Sequence, residues 1–373
     1  MLPVVRIGFV GAGHVNFGGG EGPWDHASRL ETLDGIEVVG IADPETDRAH
    51  AALAARRHPM FHSAGVYADV RELLAMANPD AVWIGVPPNA HGDPLAGENI
   101  EILCAEAGAH VFTEKPLSCG RPDQVRPVAE ALARPGILSS VGYMFRYSSV
   151  IDTVRDILAD TAGGPRAFLA RYNCAYSEIR KREWWDVRSS GGPIVEQATH
   201  FVDLARYLVG DVALDSVRAV RIDATSEAGV LCDAPRGADG ATIDSRVPAA
   251  HRSPRGTAAV WQFTGGAIGS LSHATLLHRR KYETELEIWG DGLRLVLSDL
   301  YGDCRLHARQ PGSETTEEVR FERNDPYLEE DRAFLEAVRT QSEKPIRSPY
   351  SDAMKTFALT WAITDAASRP ATD

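Results

Sequence analysis

The sequence predicts two domains. Residues 1–142 read as an α/β domain on a doubly wound parallel sheet, and residues 143–350 as an α+β domain with a large, mostly antiparallel open sheet. Three observations predict this. Short apolar runs alternate with helical patterns through the first third, the first of these runs ends in Gly11-Ala12-Gly13, and beyond Gly142 longer alternating runs joined by tight turns take over. Continuous apolar strands between helices belong to a sheet covered on both faces, whereas period-two alternation marks a sheet with one face outside the core.

In the first domain the runs 4–10, 36–41, 81–86, 110–113 and 137–141 read as buried strands. Between them, 26–32, 45–56, 70–77, 99–107 and 124–133 carry helical patterns. The second domain opens with a helix over 148–158. Strands follow at 166–172, 216–222, 257–263, 267–274, 282–289, 293–297, 305–308 and 317–321, with turns at Gly265-Gly266 and Asp291-Gly292. Helices at 327–339 and 351–367 close the chain, and the segment 351–373 is expected to pack back on the first domain. The stretch 225–255, rich in Gly, Pro, Ala and charge, interrupts the second sheet. Excursions of this length are lids, interface arms or mobile segments.

Composition narrows the function classes. The net charge is −13, which argues against nucleic acid or an anionic membrane as partner. No apolar run approaches the roughly 20 residues that span a bilayer, and the N-terminus enters a strand without the pattern of a signal peptide. The five cysteines are scattered with no Cys-x-x-Cys pair, which suits reduced thiols in a cytoplasm and offers no metal site.

The glycines at 11 and 13 let the chain turn tightly at the end of the first strand and approach a pyrophosphate. Asn16 stands where a third glycine is usual. Gly18-Gly19-Gly20 and Gly22 follow, so the loop reads as lengthened, with its helix starting late, near Trp24-Asp25-His26. Asp43, ending the second strand, is placed to accept ribose hydroxyls and to repel a 2′-phosphate, which favours NAD; Arg48 keeps NADP open. Pro87-Pro88-Asn89-Ala90-His91 turns at the carboxyl edge of the sheet, where such folds take ligand.

Glu114-Lys115-Pro116 follows a buried strand, so the Lys115 ammonium is partly desolvated and its donors can grip a substrate hydroxyl. Gly191-Gly192-Pro193 opens a helix on which Glu196, His200 and Asp203 fall on one stripe among apolar residues. Three ionisable groups on such a face are costly unless paired or working; a salt-bridged stripe and a metal site are the competing readings. Tyr143, Arg146 and Trp184 supply aromatic faces and a guanidinium suited to a sugar.

With these motifs in order, the chain resembles the Gfo/Idh/MocA family of glucose–fructose oxidoreductase and inositol dehydrogenase relatives. The resemblance rests on Gly11-Ala12-Gly13, Asp43-Pro44, Pro88-Asn89-Ala90-His91, Glu114-Lys115-Pro116, Gly142 to Tyr147, and Gly191 to Asp203. It implies a Rossmann domain and an NAD(P)-dependent hydride transfer at a carbinol carbon of a sugar, cyclitol or glycoside. It also implies homodimers or homotetramers built through the second sheet. By resemblance His200 is the catalytic histidine and Lys115 the active-site lysine, while Glu196 stands where the family commonly has Asp. The expected dinucleotide contacts are Gly11, Gly13, His14, Val15, Asp43, Pro87, Pro88, His91, Glu114 and Lys115. The expected substrate contacts are Tyr143, Arg146, Trp184, Glu196 and Asp203, with His200 as base, Lys115 donating to the substrate oxygen, Glu196 as a third catalytic residue orienting or electrostatically supporting that pair, and Asp203 buttressing His200. Two other readings share the fold: redox-assisted glycoside cleavage with tightly held NAD, and a nucleotide-sensing regulator without catalysis.

Overall fold

The computed structural model describes residues 3–19, 25–93, 99–177, 179–278 and 280–369. The chain divides into two compact units, Met1–Ser148 with Asn324–Met354, and Ser149–Arg323 with Lys355–Asp373.

The first unit is built on β1 (Val5–Val10), β2 (Ile36–Ala42), β3 (Gly65–Tyr67), β4 (Ala81–Ile84), β5 (His110–Thr113) and β6 (Ser139–Val141). They form one parallel sheet in the order β3-β2-β1-β4-β5-β6. The order reverses at β1, so the β1 and β4 turns open on the crevice where such sheets bind ligand. Ile7, Phe9, Val38, Ile41, Trp83 and Phe112 are fully buried, as strands covered on both faces require. β3 has only three residues, too few to show a period, and the sequence did not predict it.

The same core contains Phe334, Leu335, Val338 and Ile346 from the helix Pro326–Thr340 and the segment after it. The expected return of 351–373 onto the first domain is therefore corrected. The returning segment is Asn324–Met354, because the apolar face of Pro326–Thr340 is what completes this core, and Lys355 onward belongs to the second unit.

The second unit holds β7 (Ala167–Ala175), β8 (Val212–Ile222), β9 (Gly256–Phe263), β10 (Ile268–Leu277), β11 (Tyr282–Trp289), β12 (Arg294–Ser298), β13 (Arg305–Arg309) and β14 (Glu317–Val319). Their order is β14-β13-β12-β11-β7-β10-β9-β8, antiparallel except for the parallel β7–β10 pair. Phe168, Tyr172, Leu271, Leu286, Ile288, Leu295 and Leu297 point to the buried side, where the helix Thr199–Val209 lies on β7 and β10.

The excursion 225–255 is a folded cap. Its Ile243 and Val247 pack with Tyr176 and Trp185. Arg255, buried, pairs with Asp244, donates to Gly229 O and Ser253 O, and sits 5.0 Å over the Trp185 ring.

Candidate functional site

In the first unit the chain turns sharply after β1. Gly11 takes φ +91°, and a Cβ there would stand 2.7 Å from Gly85 O. Only glycine fits so close an approach. Around Gly13, by contrast, nothing among the described residues lies within 4 Å of where a Cβ would be, so that side of the turn is open to them. A one-turn helix, His14–Phe17, starts at once, ahead of the late helix the sequence predicts; His14 is exposed and Val15 half-buried. The helix His26–Leu30 begins after Asp25, whose carboxylate caps Ser28 N at 2.7 Å. Gly20, Gly22 and Trp24 lie outside the described residues.

Asn16, standing in for the third glycine, is buried and donates to Val10 O (3.0 Å) and Gly11 O (2.7 Å). It braces the turn, and Gly85 on the neighbouring strand's exit leaves it room. Asp43 reaches the same turn: its carboxylate accepts from Ala12 N at 2.7 Å, from Glu45 N at 2.8 Å and from Arg48 at 2.8 Å. Burial opposes its charge, but the Arg48 and backbone donors outweigh that and hold the carboxyl below its ordinary range. An open glycine turn with a fixed carboxylate beside it fits a dinucleotide, its diphosphate against Gly11 to Gly13 and its ribose toward Asp43.

Pro87 and Pro88 shape the turn after β4, with Ala90 N bonded to Pro87 O and Cys119 N to Pro88 O. His91 is corrected as a cofactor contact. It points inward, Nδ1 at 2.8 Å from the fully buried Glu101, whose other oxygen accepts from Gly92 N. The pair locks the turn from beneath.

Glu114-Lys115-Pro116 stands at the carboxyl end of β5, tied to β4 by Glu114 N to Ile84 O at 3.0 Å. Glu114 accepts from Lys115 N (3.2 Å) and from His26 Nε2 (3.2 Å). Tyr143 and Arg146, expected at the substrate, are buried instead. Arg146 donates to Arg347 O (2.6 Å) and Asp352 (2.7 Å), and its guanidinium lies 5.9 Å from the Tyr143 ring. Its side chain pins the returning segment, a task the local sequence did not reveal.

In the second unit the expected continuous helix through Glu196 and His200 is broken. Pro193–Glu196 forms one turn, Ala198 N reaches back to Pro193 O, and a new helix runs Thr199–Val209. Gln197 explains the break: its side-chain oxygen is held on the sheet by His273 Nε2 (3.0 Å) and Cys174 Sγ (3.4 Å). Burial pushes the His273 pKa down to about 3, so the neutral ring donates from Nε2. Glu196, Gln197 and Trp184 line a small, open-sided cleft of about 20 Å³ with Ser190, Ser253 and Thr275. Trp184 keeps 39% of its surface exposed there, while Trp185 is buried with Nε1 on Ile179 O.

His200 is buried, its ring 6.4 Å from that of Tyr301. Tyr301 stacks with Tyr282 (4.6 Å) and Tyr172 (5.8 Å). Burial pushes the Tyr172 and Tyr301 phenols well up, and the Glu196 charge adds to it, so both stay protonated beside the carboxylate. This aromatic stack is not legible in the sequence, because Tyr172, Tyr282 and Tyr301 come from separate strands and loops. Asp203 accepts from Thr356 Oγ1 at 2.9 Å, which ties it to the last helix and replaces its expected substrate contact. Among the described residues no group of His, Cys, Asp and Glu is placed to hold a metal ion.

A doubly wound sheet with an open glycine turn, a carboxylate fixed on it and a lysine turn two strands away defines a nicotinamide-dinucleotide oxidoreductase. The chain belongs to the Gfo/Idh/MocA oxidoreductase family. Residues 5–143 match its NAD-binding Rossmann-fold domain, and residues 146–293 match a putative oxidoreductase C-terminal domain. An uncharacterized protein of Schizosaccharomyces pombe is 35% identical over 98% of this chain and 92% of its own. Myo-inositol 2-dehydrogenase of Thermotoga maritima is 26% identical over 90% of this chain and 89% of its own. The WlbA dehydrogenase of Bordetella pertussis, solved with NADH and UDP-GlcNAcA, superposes with a TM-score of 0.71 at 21% identity, over 98% of this chain and 96% of that one.

Proposed function

We propose that the protein is an NAD-dependent dehydrogenase or reductase of a neutral polyhydroxylated ring: a cyclitol, an uncharged sugar or a glycoside. The observation that carries this reading is the Glu114-Lys115-Pro116 turn at the carboxyl edge of the sheet that also bears the glycine turn and Asp43. The second unit adds a carboxylate, an amide, hydroxyls and an exposed indole around one cleft, with no lysine or arginine lining it among the described residues. Hydroxyl groups and a ring face suit such a surface, whereas a phosphate or carboxylate would meet Glu196 without a cation.

Gly11, Gly13 and Asp43 would hold the dinucleotide, which when bound supplies the hydride acceptor or donor. Lys115 donates to the reacting hydroxyl and steadies negative charge as it develops, and His200 takes the hydroxyl proton. Glu196 fixes the ring through its neighbouring hydroxyls. The outward face of the second sheet carries Leu169, Val260 and Ile268 and is the surface for a homodimer or homotetramer. The unpaired thiols, two of them buried, suit a reducing cytoplasm.

Turnover tests the reading. Purified protein is given NAD or NADP with inositols, hexoses, glucosides, uronates and nucleotide sugars, and nicotinamide absorbance is followed. The neutral ring compounds should react with NAD. Lys115→Met and His200→Ala should each cut kcat at least 100-fold, the scale of lost acid–base help, with NAD affinity within about threefold. Full activity in either variant removes that residue from the mechanism.

A further inference from the structure

Beneath the Lys115 turn lies a buried ionic cluster that sugar chemistry alone does not call for. His26 places Nδ1 at 2.9 and 3.1 Å from the two oxygens of Asp331, and Nε2 at 3.2 Å from Glu114. Trp83 Nε1 donates to Asp331 at 2.9 Å. Glu330, fully buried, has no hydrogen-bond partner on either carboxyl oxygen among the described residues. The charged groups facing the cluster are His26 and Arg29 from the helix His26–Leu30, Glu330 and Asp331 from Pro326–Thr340, and Glu114 from the β5 turn. Arg29 is itself paired with Asp325.

A carboxylate at each ring nitrogen makes both nitrogens donors, so His26 is an imidazolium. Burial opposes that charge, yet Asp331 and Glu114 overcome it and raise the pKa well above the usual histidine value. Burial, with the nearby Glu114 charge, raises the Glu330 pKa well above the carboxylate range, so it is a neutral acid. Buried ion pairs of this kind contribute little net stability compared with apolar packing of the same volume. Of the three hydrogen-bonded groups Glu114 comes nearest the surface, its side chain 17% exposed against 3% for His26 and 0% for Asp331. Glu114 is also packed against Gly142, where a Cβ would stand 2.6 Å from Oε1. The cluster thus ends on one carboxylate whose other oxygen accepts from Lys115 N.

We propose that His26 is a positioning residue which, clamped by Asp331, fixes Glu114 and through it the backbone of Lys115. This rests on reading Lys115 as the active-site lysine. His26 also begins the helix that follows the lengthened glycine loop, so the clamp joins the exit of that loop to the lysine turn.

The test uses the full chain with His26→Gln, Asp331→Asn and Glu330→Gln. Two readouts are taken: steady-state kinetics with NAD and a neutral polyol, and trace acetylation of Lys115 by acetic anhydride across pH, quantified by mass spectrometry against exposed Lys344. His26→Gln should lower kcat at least tenfold, leave the NAD KM within threefold, and change Lys115 acetylation at least threefold relative to Lys344. Asp331→Asn should move both readouts the same way and stands in for His26→Gln should that variant not fold. Glu330→Gln, which replaces a neutral acid by a neutral amide, should leave both within twofold. Unchanged kcat and acetylation in the folded His26 or Asp331 variant overturns the proposal. If no polyol is turned over even by the unaltered protein, the reading of Lys115 fails, and the acetylation profile alone decides whether His26 positions it.

Discussion

In the proposed site Asp43 serves the fold and the cofactor together. It is almost fully buried and already accepts from Ala12 N, Glu45 N and the Arg48 guanidinium. A ribose hydroxyl arriving at this carboxylate must share it with Arg48, whose side chain is 46% exposed and able to leave. In the proposed site Arg48 would therefore temper the discrimination of Asp43 against a 2′-phosphate. Arg48→Ala should raise the ratio of kcat/KM for NAD over NADP by about tenfold, equivalent to ~1.4 kcal/mol. Asp43→Ala should lower the ratio by at least as much. Steady-state assays with both dinucleotides read this directly, and a ratio that moves in neither variant would remove the pair from cofactor choice. Histidines divide in the same way by environment. His91 reads in sequence as a turn residue at the cofactor and His26 as the start of a helix, yet one locks a turn on Glu101 and the other bridges two carboxylates.

Among elements, what the sequence disclosed followed from local rules. Gly11 at positive φ, the strand ending at Thr113 and the helix Val70–Ala77 capped by Asp69 each depend on residues within a few positions. The Glu196–His200 stripe failed because helical spacing assumes an unbroken helix, and the break is imposed by Gln197 reaching to His273, far along the chain. His26 was missed for a similar reason, since its partners Asp331 and Glu114 come from distant segments. One sign was present: Glu330 and Asp331 precede Phe334 and Leu335 on one helix, so carboxylates sit on an apolar face. The excursion 225–255 also exceeded local reading. Its composition suggests mobility, yet Arg255 knots it to Asp244, Gly229, Ser253 and the Trp185 ring, and Ser253 in turn donates to Trp184 O. Arg255→Leu leaves the half of a buried pair on Asp244 without its counter-charge, which costs about 3 kcal/mol. The expected outcome is a lower urea midpoint and a KM for the polyol raised severalfold, because the Trp184 wall loosens, with the NAD KM unchanged. A variant as stable as the parent would mean that the cap is held elsewhere.

For the whole molecule, the outward face of the second sheet poses the remaining question. Sheet register sets Val260, Ser270 and Leu169 side by side across β9, β10 and β7, continuing to Glu287 and Val296 on β11 and β12. The next row holds Ile268, Ala167, Trp289 and Arg294. Ile268 is 62% exposed and Val260 53%. Leu169, Val260 and Ile268 make an apolar centre within these rows, and the ion pairs Arg294–Glu287 and Arg171–Glu285 lie beside it. A face of apolar core and charged rim is how a lasting interface is built, and a monomer leaves few such faces open to water. The partner we propose for it is a second copy of the chain, since a face that pairs with itself needs only one sequence. Light scattering after gel filtration should therefore give a mass of two or four chains at micromolar concentration. Leu169→Glu with Val260→Glu places like charges opposite each other across any two-fold axis through this centre. That variant should elute as a monomer with its nucleotide affinity retained, because the Rossmann unit carries that binding alone. A monomeric parent protein, or an unaltered mass in the double variant, would assign this face to something other than self-association.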